Sequence, residues 1–250
     1  MSQRVILVTG AARGLGAAVC RHFAMLGYDI VVNYNHSAVQ AEKLLEEISA
    51  HARAAIHQAD ISNPDSVKAL MDFCLQEFGR LDVLVNNASY SSDKSWNVTL
   101  ENIDWNEWQK TIDVDLKGTM LCSHAAYPIM KAQGTGKIIN FSSSAALQGD
   151  VPTYFYTAAK CAIVGITRGL ARAMAPEVRV NCIAPGSIAT DWIEKWKLTP
   201  QDINVIVGET PLRRIGRPDE VAKLVELLAS DDCAFMTGQT FVIDGGILML

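Results

Sequence analysis

No two cysteines in this sequence stand in a C-x-x-C pair, and no two histidines in an H-x-x-x-H pattern. Metal sites and dithiol redox centres are built from ligands at such short spacings, so neither is readable here. Cys20, Cys74, Cys122, Cys161, Cys182 and Cys233 lie mostly in apolar stretches, where a thiol acts as a small core residue. Clusters of one charge are missing as well. The 22 Lys and Arg are scattered among 27 Asp and Glu, and a net charge of −5 offers no positive field to nucleic acid or anionic lipid. No run approaches the roughly 20 apolar residues that would span a bilayer. The stretch Val5-Ile6-Leu7-Val8 is too short for a signal-peptide core and ends in a glycine turn. Nucleic-acid and membrane partners are therefore not expected, and a reducing, cytoplasmic setting is. Repeats, low-complexity runs and Pro- or Ser-rich linkers are absent too, which leaves residues 1–250 as one domain, long enough to bury a substantial core.

What is present is a regular alternation. Short β-branched runs occur at Val5–Thr9, Ile30–Tyr34, Ala54–Gln58, Val83–Asn86, Lys137–Phe141, Val178–Ile183 and Thr240–Ile243. Helical patterns separate them near Leu15–Leu26, Ala38–Ala50, Pro64–Phe78, Ile103–Lys131, Thr153–Met174 and Pro218–Leu228. Several of the runs are apolar throughout, as strands covered on both faces are. The alternation predicts an α/β fold: a single Rossmann-type doubly wound parallel sheet of about seven strands with helices on both faces. Asn63-Pro64 and Arg217-Pro218 mark helix starts, since proline suits the first helical turn. Ligands of such sheets bind beyond the carboxyl ends of the strands, near the switch point.

Thr9-Gly10-Ala11-Ala12-Arg13-Gly14-Leu15-Gly16 follows the first strand and opens the first helix. Glycines let the backbone turn tightly and approach a pyrophosphate, and the helix start offers free N–H groups and a favourable dipole. The spacing is not G-x-G-x-x-G, and on its own such a turn can be a plain tight connection. After the second strand an NAD site carries an acidic side chain for the ribose 2′-hydroxyl, but here the sequence reads Asn33-Tyr34-Asn35-His36. Nothing there repels a 2′-phosphate. Arg13 offers that phosphate a planar, permanently charged fork, unless it is only a solvated loop residue. NADP(H) is thus favoured over NAD(H). Asp60, ending the third strand, is placed to accept from an adenine amino group or to cap the next helix. Asn86-Asn87-Ala88 closes the fourth strand, where short amides bond a cofactor ribose or simply form the turn.

Tyr156 and Lys160 are four residues apart on a predicted helix, about one turn, and so share a face. A phenol ionises near pH 10 and is a poor base at neutral pH, but a neighbouring ammonium favours the phenolate. Such a tyrosine can exchange a proton with a carbonyl or alcohol oxygen. Ser143, just past the strand Lys137–Phe141, is placed to hold that oxygen by a hydrogen bond. Tyr154 has Ala158 four residues on and is set aside. A Tyr/Lys pair at helical spacing is common, and its weight comes from the motifs around it.

In order, Thr9-Gly10-x-x-x-Gly14-x-Gly16, Asn86-Asn87-Ala88, Ser143, Tyr156-x-x-x-Lys160, Pro185-Gly186 and Asp244-Gly245-Gly246 span nearly the whole sequence. This set resembles the short-chain dehydrogenase/reductase family. The resemblance implies Tyr156 as the acid/base, Lys160 as the residue that holds the ribose and lowers the tyrosine pKa, and Ser143 as the group that orients the substrate. Thr190 would bond the nicotinamide carboxamide. The implied cofactor site takes in Gly10, Arg13, Gly14, Leu15, Gly16, Asn33, Tyr34, Asp60, Ile61, Asn87 and Ala88, then Tyr156, Lys160, Pro185, Gly186, Ile188 and Thr190, with no metal. Two positions depart from the family pattern. Ser89 stands where a glycine is usual after Asn86-Asn87-Ala88, and Asp115 stands where the family has a catalytic asparagine that supports a water relay from the lysine. A carboxylate there can still anchor water, through its backbone carbonyl among other groups. It also adds negative charge near Lys160, stabilising the ammonium and weakening its pull on Tyr156. Activity with an altered pH profile is the expectation.

Asp191–Pro211, with Trp192, Ile193, Trp196 and Leu198, lies where the family has a substrate lid, here taken as residues 190–211. Trp96, Trp105 and Trp108 are further candidates for a pocket wall. The pattern of Arg13, Asn33-Tyr34 and Pro211-Leu212-Arg213-Arg214 is similar to that of 3-oxoacyl-[acyl-carrier-protein] reductases. The expected substrate is therefore a carbonyl or secondary alcohol, carried on acyl carrier protein if that subgroup applies. The family also implies a homotetramer. Two rival readings stand beside this one: an NAD(P)-dependent sugar or polyol dehydrogenase, and a dinucleotide-binding sensor or scaffold with little turnover.

Overall fold

In a computed structural model, which describes residues 3–96, 98–149 and 153–249, seven short segments pair side by side. They are Val5–Val8 (β1), Asp29–Tyr34 (β2), Ala54–Gln58 (β3), Val83–Asn86 (β4), Gly136–Phe141 (β5), Val178–Pro185 (β6) and Thr240–Ile243 (β7). All neighbours are parallel, in the order β3-β2-β1-β4-β5-β6-β7. The order reverses direction between β1 and β4, and a crevice opens at such a switch point beyond the strand ends.

The helices are Gly14–Met25 (α1), Ala38–Ser49 (α2), Pro64–Phe78 (α3), Asp93–Trp96 (α4), Trp105–Thr111 (α5), Thr119–Gln133 (α6), Ala145–Gln148 (α7), Tyr154–Met174 (α8), Trp192–Lys195 (α9), Pro200–Glu209 (α10) and Pro218–Ala229 (α11). Successive strand side chains point to opposite faces, so each strand feeds two cores. In β1, Ile6 and Val8 pack with α1, α2 and α11, while Val5 and Leu7 pack with α3, α6 and α8. Five of the six free cysteines are buried, as expected of small core residues, and Cys161 is exposed.

Local chemistry sets the helix ends. The Asn63 side chain accepts from the N–H groups of Asp65 and Ser66, Pro64 opens α3, and Gly79 closes it at φ 75°. Asp60 therefore does not cap α3; its Oδ1 accepts instead from the Ser62 N–H at 2.9 Å and the Ser62 hydroxyl at 2.7 Å.

The single helix expected over Ile103–Lys131 has a different internal structure. Asp104 caps α5 by accepting from the Asn106 N–H, and a π-helical segment, Ile112–Gly118, joins α5 to α6. A π turn inserts a residue without disturbing the apolar pattern on either side, so hydrophobic periodicity does not reveal it. Inside the expected lid lies a full helix, α10, opened by a reciprocal cap between Thr199 and Asp202 with Pro200 at its first position.

Candidate active site

The cleft at the carboxyl ends of β1 and β4 has a volume of about 670 Å³. Ser143, Tyr156 and Lys160 line it together with Gly10, Arg13, Gly14, Leu15, Asn33, Tyr34, Asp60, Ile61, Asn87, Ala88, Pro185, Gly186, Ile188 and Thr190. Segments separated by up to 180 positions thus meet on one surface, as the sequence pattern anticipated. Two of the anticipated residues do not reach that wall. Gly16 is a packing glycine: a Cβ there would come within 2.7 Å of the Asn87 amide and 2.8 Å of Ala11 Cα. Asp115 sits behind the wall, fully buried beneath Lys160.

The glycine turn is built for close approach. Gly10 adopts φ 60°, and an added Cβ would lie 2.8 Å from Ala88 Cα, so no larger residue fits between β1 and β4. Thr9 ties the same two strands, its hydroxyl accepting from the N–H groups of Asn87 and Ala88 at 3.1 Å each. The Asn87 side chain returns bonds to the carbonyls of Thr9 at 2.9 Å and Gly10 at 3.1 Å. Asn33, expected to face a cofactor, has its amide turned inward: Oδ1 accepts from the Gly10 N–H at 3.2 Å and Nδ2 donates to the Ala59 carbonyl at 3.0 Å. Its role is to hold β2 and β3 against the turn. Asn35, His36 and Ser37 line the cleft just beyond it, and only their position after the second strand marks them in the sequence. The Arg13 guanidinium is exposed and pairs with Asp191 at 3.3 Å.

A dinucleotide fits these residues. Gly10 packs against Ala88, whereas at Gly14 an added Cβ would lie 3.3 Å from Asp191 Oδ1 and 3.8 Å from Thr190 Cβ, so the bare backbone at the start of α1 faces the cleft, where a pyrophosphate would sit.

On the other side of the cleft, the Ser143 hydroxyl oxygen accepts from the Ala145 N–H at 3.2 Å, which leaves its proton to donate elsewhere. Lys160 is 3% exposed. Its ammonium lies 5.3 Å from the centre of the Tyr156 ring, donates to the Phe141 carbonyl at 3.2 Å and pairs with Asp115 at 3.0 Å. Burial alone would lower the lysine pKa, but the Asp115 charge, with Tyr156 and the hydrogen bond to Asp115, outweighs it, and the net direction is upward. Lys160 is held as a cation. The Asp115 carbonyl, expected to help anchor a water, accepts from the Thr119 hydroxyl at 2.6 Å, and the carboxylate contacts Lys160 directly.

The segment 190–211, expected as a substrate lid, borders the cleft on one side. Trp192, Lys195, Trp196, Ile206 and Glu209 line the cleft from this side, and Ile247 lines it from beyond β7. Asp244 holds that last segment in place, accepting from the N–H groups of Gly246 and Leu248 at 2.8 and 2.7 Å. Lys195 donates to the Ser91 hydroxyl at 2.5 Å and its carbonyl at 3.1 Å, pinning α9 to the loop after β4. Trp108 and Trp105 are not pocket walls: Trp108 packs edge-on against buried Phe155 with ring centres 5.4 Å apart, and Trp105 is exposed. The Trp96 side chain lies outside the described residues.

A doubly wound parallel sheet with serine, tyrosine and lysine in its switch-point cleft defines a dinucleotide-dependent oxidoreductase. A family model described as "Enoyl-(Acyl carrier protein) reductase" matches residues 10–248. A 3-oxoacyl-[acyl-carrier-protein] reductase of Synechocystis sp. is 40% identical, over 100% of this chain and 98% of that protein. The corresponding reductase of Staphylococcus aureus is 37% identical over 97% of each. Among solved structures, a short-chain dehydrogenase/reductase described as glucose/ribitol dehydrogenase, from Brucella melitensis, superposes with a TM-score of 0.91 at 28% identity, covering 100% of this chain and 98% of that one. Levodione reductase superposes with a TM-score of 0.90 at 30% identity over 98% of each. The chain belongs to the short-chain dehydrogenase/reductase family, and it is an NAD(P)-dependent oxidoreductase acting on CH–OH groups.

Proposed function

We propose that this protein reduces a ketone to a secondary alcohol with NADPH, the preferred ketone being a 3-oxoacyl thioester carried on acyl carrier protein. The single observation that carries the reading is the convergence of Ser143, Tyr156 and buried, cationic Lys160 in one cleft. The 40% and 37% identical relatives named as 3-oxoacyl-[acyl-carrier-protein] reductases support the substrate class. When bound, the reduced nicotinamide supplies a hydride. The chain supplies the rest. The Ser143 hydroxyl donates to the carbonyl oxygen and fixes its position as negative charge develops there. Tyr156 gives its phenolic proton to that oxygen, and the Lys160 ammonium stabilises the phenolate left behind. Trp192, Trp196 and Ile206 supply an apolar cover that excludes water from the reacting carbon.

NADPH is favoured because the segment after β2 offers Asn35, His36 and Ser37 and no carboxylate, with Arg13 as the available cation. The Arg13–Asp191 pair is exposed and weak, so a 2′-phosphate competes for Arg13 at little cost. A homotetramer in a reducing, cytoplasmic setting completes the proposal, and the six free thiols suit such a setting. The sugar- or polyol-dehydrogenase reading draws on the Brucella melitensis neighbour, which is described as a glucose/ribitol dehydrogenase.

Following absorbance of NADPH and NADH with a panel of 3-oxoacyl thioesters, simple ketones and sugars separates these readings. Turnover is expected to be fastest with NADPH and a 3-oxoacyl thioester. Fastest turnover of a sugar with an oxidised cofactor would transfer the protein to the second reading, and no turnover at all would leave the sensor or scaffold. Tyr156→Phe is expected to lower kcat by at least a hundredfold, in line with the typical contribution of a positioned acid/base of about 10²–10⁴. Full activity in that variant would remove Tyr156 from the mechanism.

A further inference from the structure

Two departures from the family pattern, Ser89 and Asp115, lie 26 residues apart in sequence and touch in space. The Ser89 hydroxyl donates to Asp115 Oδ2 at 2.5 Å. That same oxygen receives the Lys160 ammonium at 3.0 Å, and Oδ1 accepts from the Tyr90 N–H at 2.7 Å. Three donors therefore converge on one side chain that is 0% exposed. Only a carboxylate accepts with both oxygens; an asparagine would turn an N–H₂ toward a donor. Ser89 stands at the cleft wall and is itself exposed, so its hydroxyl lies between the cleft and the buried Asp115 carboxylate, while Lys160 reaches the cleft directly.

We propose that Ser89 and Asp115 act as one unit, in which Ser89 is a positioning residue that holds the Asp115 carboxylate against Lys160, fixing the lysine by direct contact. The inference rests on the reading of Tyr156 and Lys160 as the proton-transfer pair. Its physical content is a dependence of each residue on the other. With Ser89 present, residue 115 has to be an acceptor at both side-chain atoms. With glycine at 89, one donor and the volume of a hydroxyl disappear, and an amide at 115 gains room to rotate away from the ammonium or to admit a water. Among the described residues, the titratable groups facing Lys160 are Asp115 from the π segment, Tyr156 on its own helix and Cys182 on β6, whose thiol burial pushes up to about 11 and keeps neutral. Asp115 is the one carboxylate among them.

The test is a double-mutant cycle of Ser89→Gly, Asp115→Asn and the two together, read by kcat with the preferred ketone and by urea unfolding. Asp115→Asn is expected to lower kcat at least tenfold when Ser89 is present and by less than threefold when residue 89 is glycine. The unfolding constant should show a loss of the same order for the single variant and its recovery in the double. In the alcohol-oxidising direction, Asp115→Asn should also move the acid limb of the pH–rate curve down by about one unit, because removing the carboxylate eases formation of the phenolate. Ser89→Gly, which leaves the charge in place, should leave that limb where it was. Equal effects of Asp115→Asn in both backgrounds, in kcat and in stability, would overturn the proposal. The unfolding cycle needs no substrate, so a protein that turns over nothing on the panel still tests the coupling, and the two failures are distinguishable.

Discussion

Lys160 carries two burdens that a single substitution separates. Its ammonium acts on Tyr156 from 5.3 Å, and it also neutralises a carboxylate that has no exposure to water. On the proposed mechanism removing the lysine lowers turnover, and it also strands the Asp115 charge among apolar and hydrogen-bonded neighbours. Breaking a buried ion pair by deleting one partner costs roughly 3–5 kcal/mol, mostly the penalty of the charge left behind. Lys160→Met is expected to lose stability on that scale in urea unfolding at pH 7–8. The sign with pH follows from the upward direction of the lysine pKa. A cation stabilised by folding contributes fully below its unfolded value of about 10.5, and the contribution fades as pH rises through the higher folded value. The gap between wild type and Lys160→Met should thus stay constant up to about pH 10 and narrow only above it. A gap that narrowed between pH 6 and 8 would mean that some other group controls the pair.

At the scale of elements, the loop after β4 is held by α5 through one buried carboxylate. Glu107 accepts from the Tyr90 hydroxyl at 2.9 Å and from the Ser92 hydroxyl, and pairs with Lys110 at 2.8 Å. The hydrogen bonds from Lys110, then Ser92, hold its pKa down near 2. This clasp contributes stability above the ordinary carboxylate range near 4.5 and loses it as pH falls toward 2. Glu107→Gln should cost about 1–3 kcal/mol and speed proteolytic cleavage between Ser91 and Asp104, read by thermal unfolding and limited digestion. Unchanged cleavage would show that the loop is held by other contacts. Such a clasp is not legible in sequence, because Tyr90, Ser92 and Glu107 form no motif and only the fold brings them together. The same holds for Ser89 against Asp115. By contrast, β3, β4, β7 and α3 end where the sequence predicts, since each is bounded by strong local signals such as Asn63-Pro64 and the αL glycine Gly79. The π segment escaped for a related reason: it changes the hydrogen bonding of Ile112–Gly118 while leaving a helical apolar pattern on both sides. Helix α10 carried its own signature in Thr199-Pro200 and Asp202, but that signature lay within a segment taken whole as a lid.

Over the whole molecule, the cleft belongs to the switch point between β1 and β4, yet Tyr156 and Lys160 ride on α8, which also forms an outer face of the protein. Its inward side packs Phe155, Ile163 and Leu170, and its outward side shows Cys161, Gly165, Arg168 and Gly169. A Cβ added at Gly165 or Gly169 would meet nothing within 4 Å. Glycine within a helix costs roughly 1 kcal/mol against alanine, so two on one exposed face weaken the element that carries Tyr156 and Lys160. Close packing of a second copy on this face would offset that cost, since helices approach more nearly where side chains are small. The homotetramer implied by the family gives such packing a place. Light scattering is expected to show a particle of four 27.2 kDa chains, with a Tm that rises with protein concentration. Gly165→Glu, which places a charge on the face without touching the cleft, should yield smaller particles whose Tm no longer depends on concentration, with kcat falling as α8 loosens. A wild-type monomer at working concentration would remove the assembly from the account and leave α8 to be held by the sheet alone.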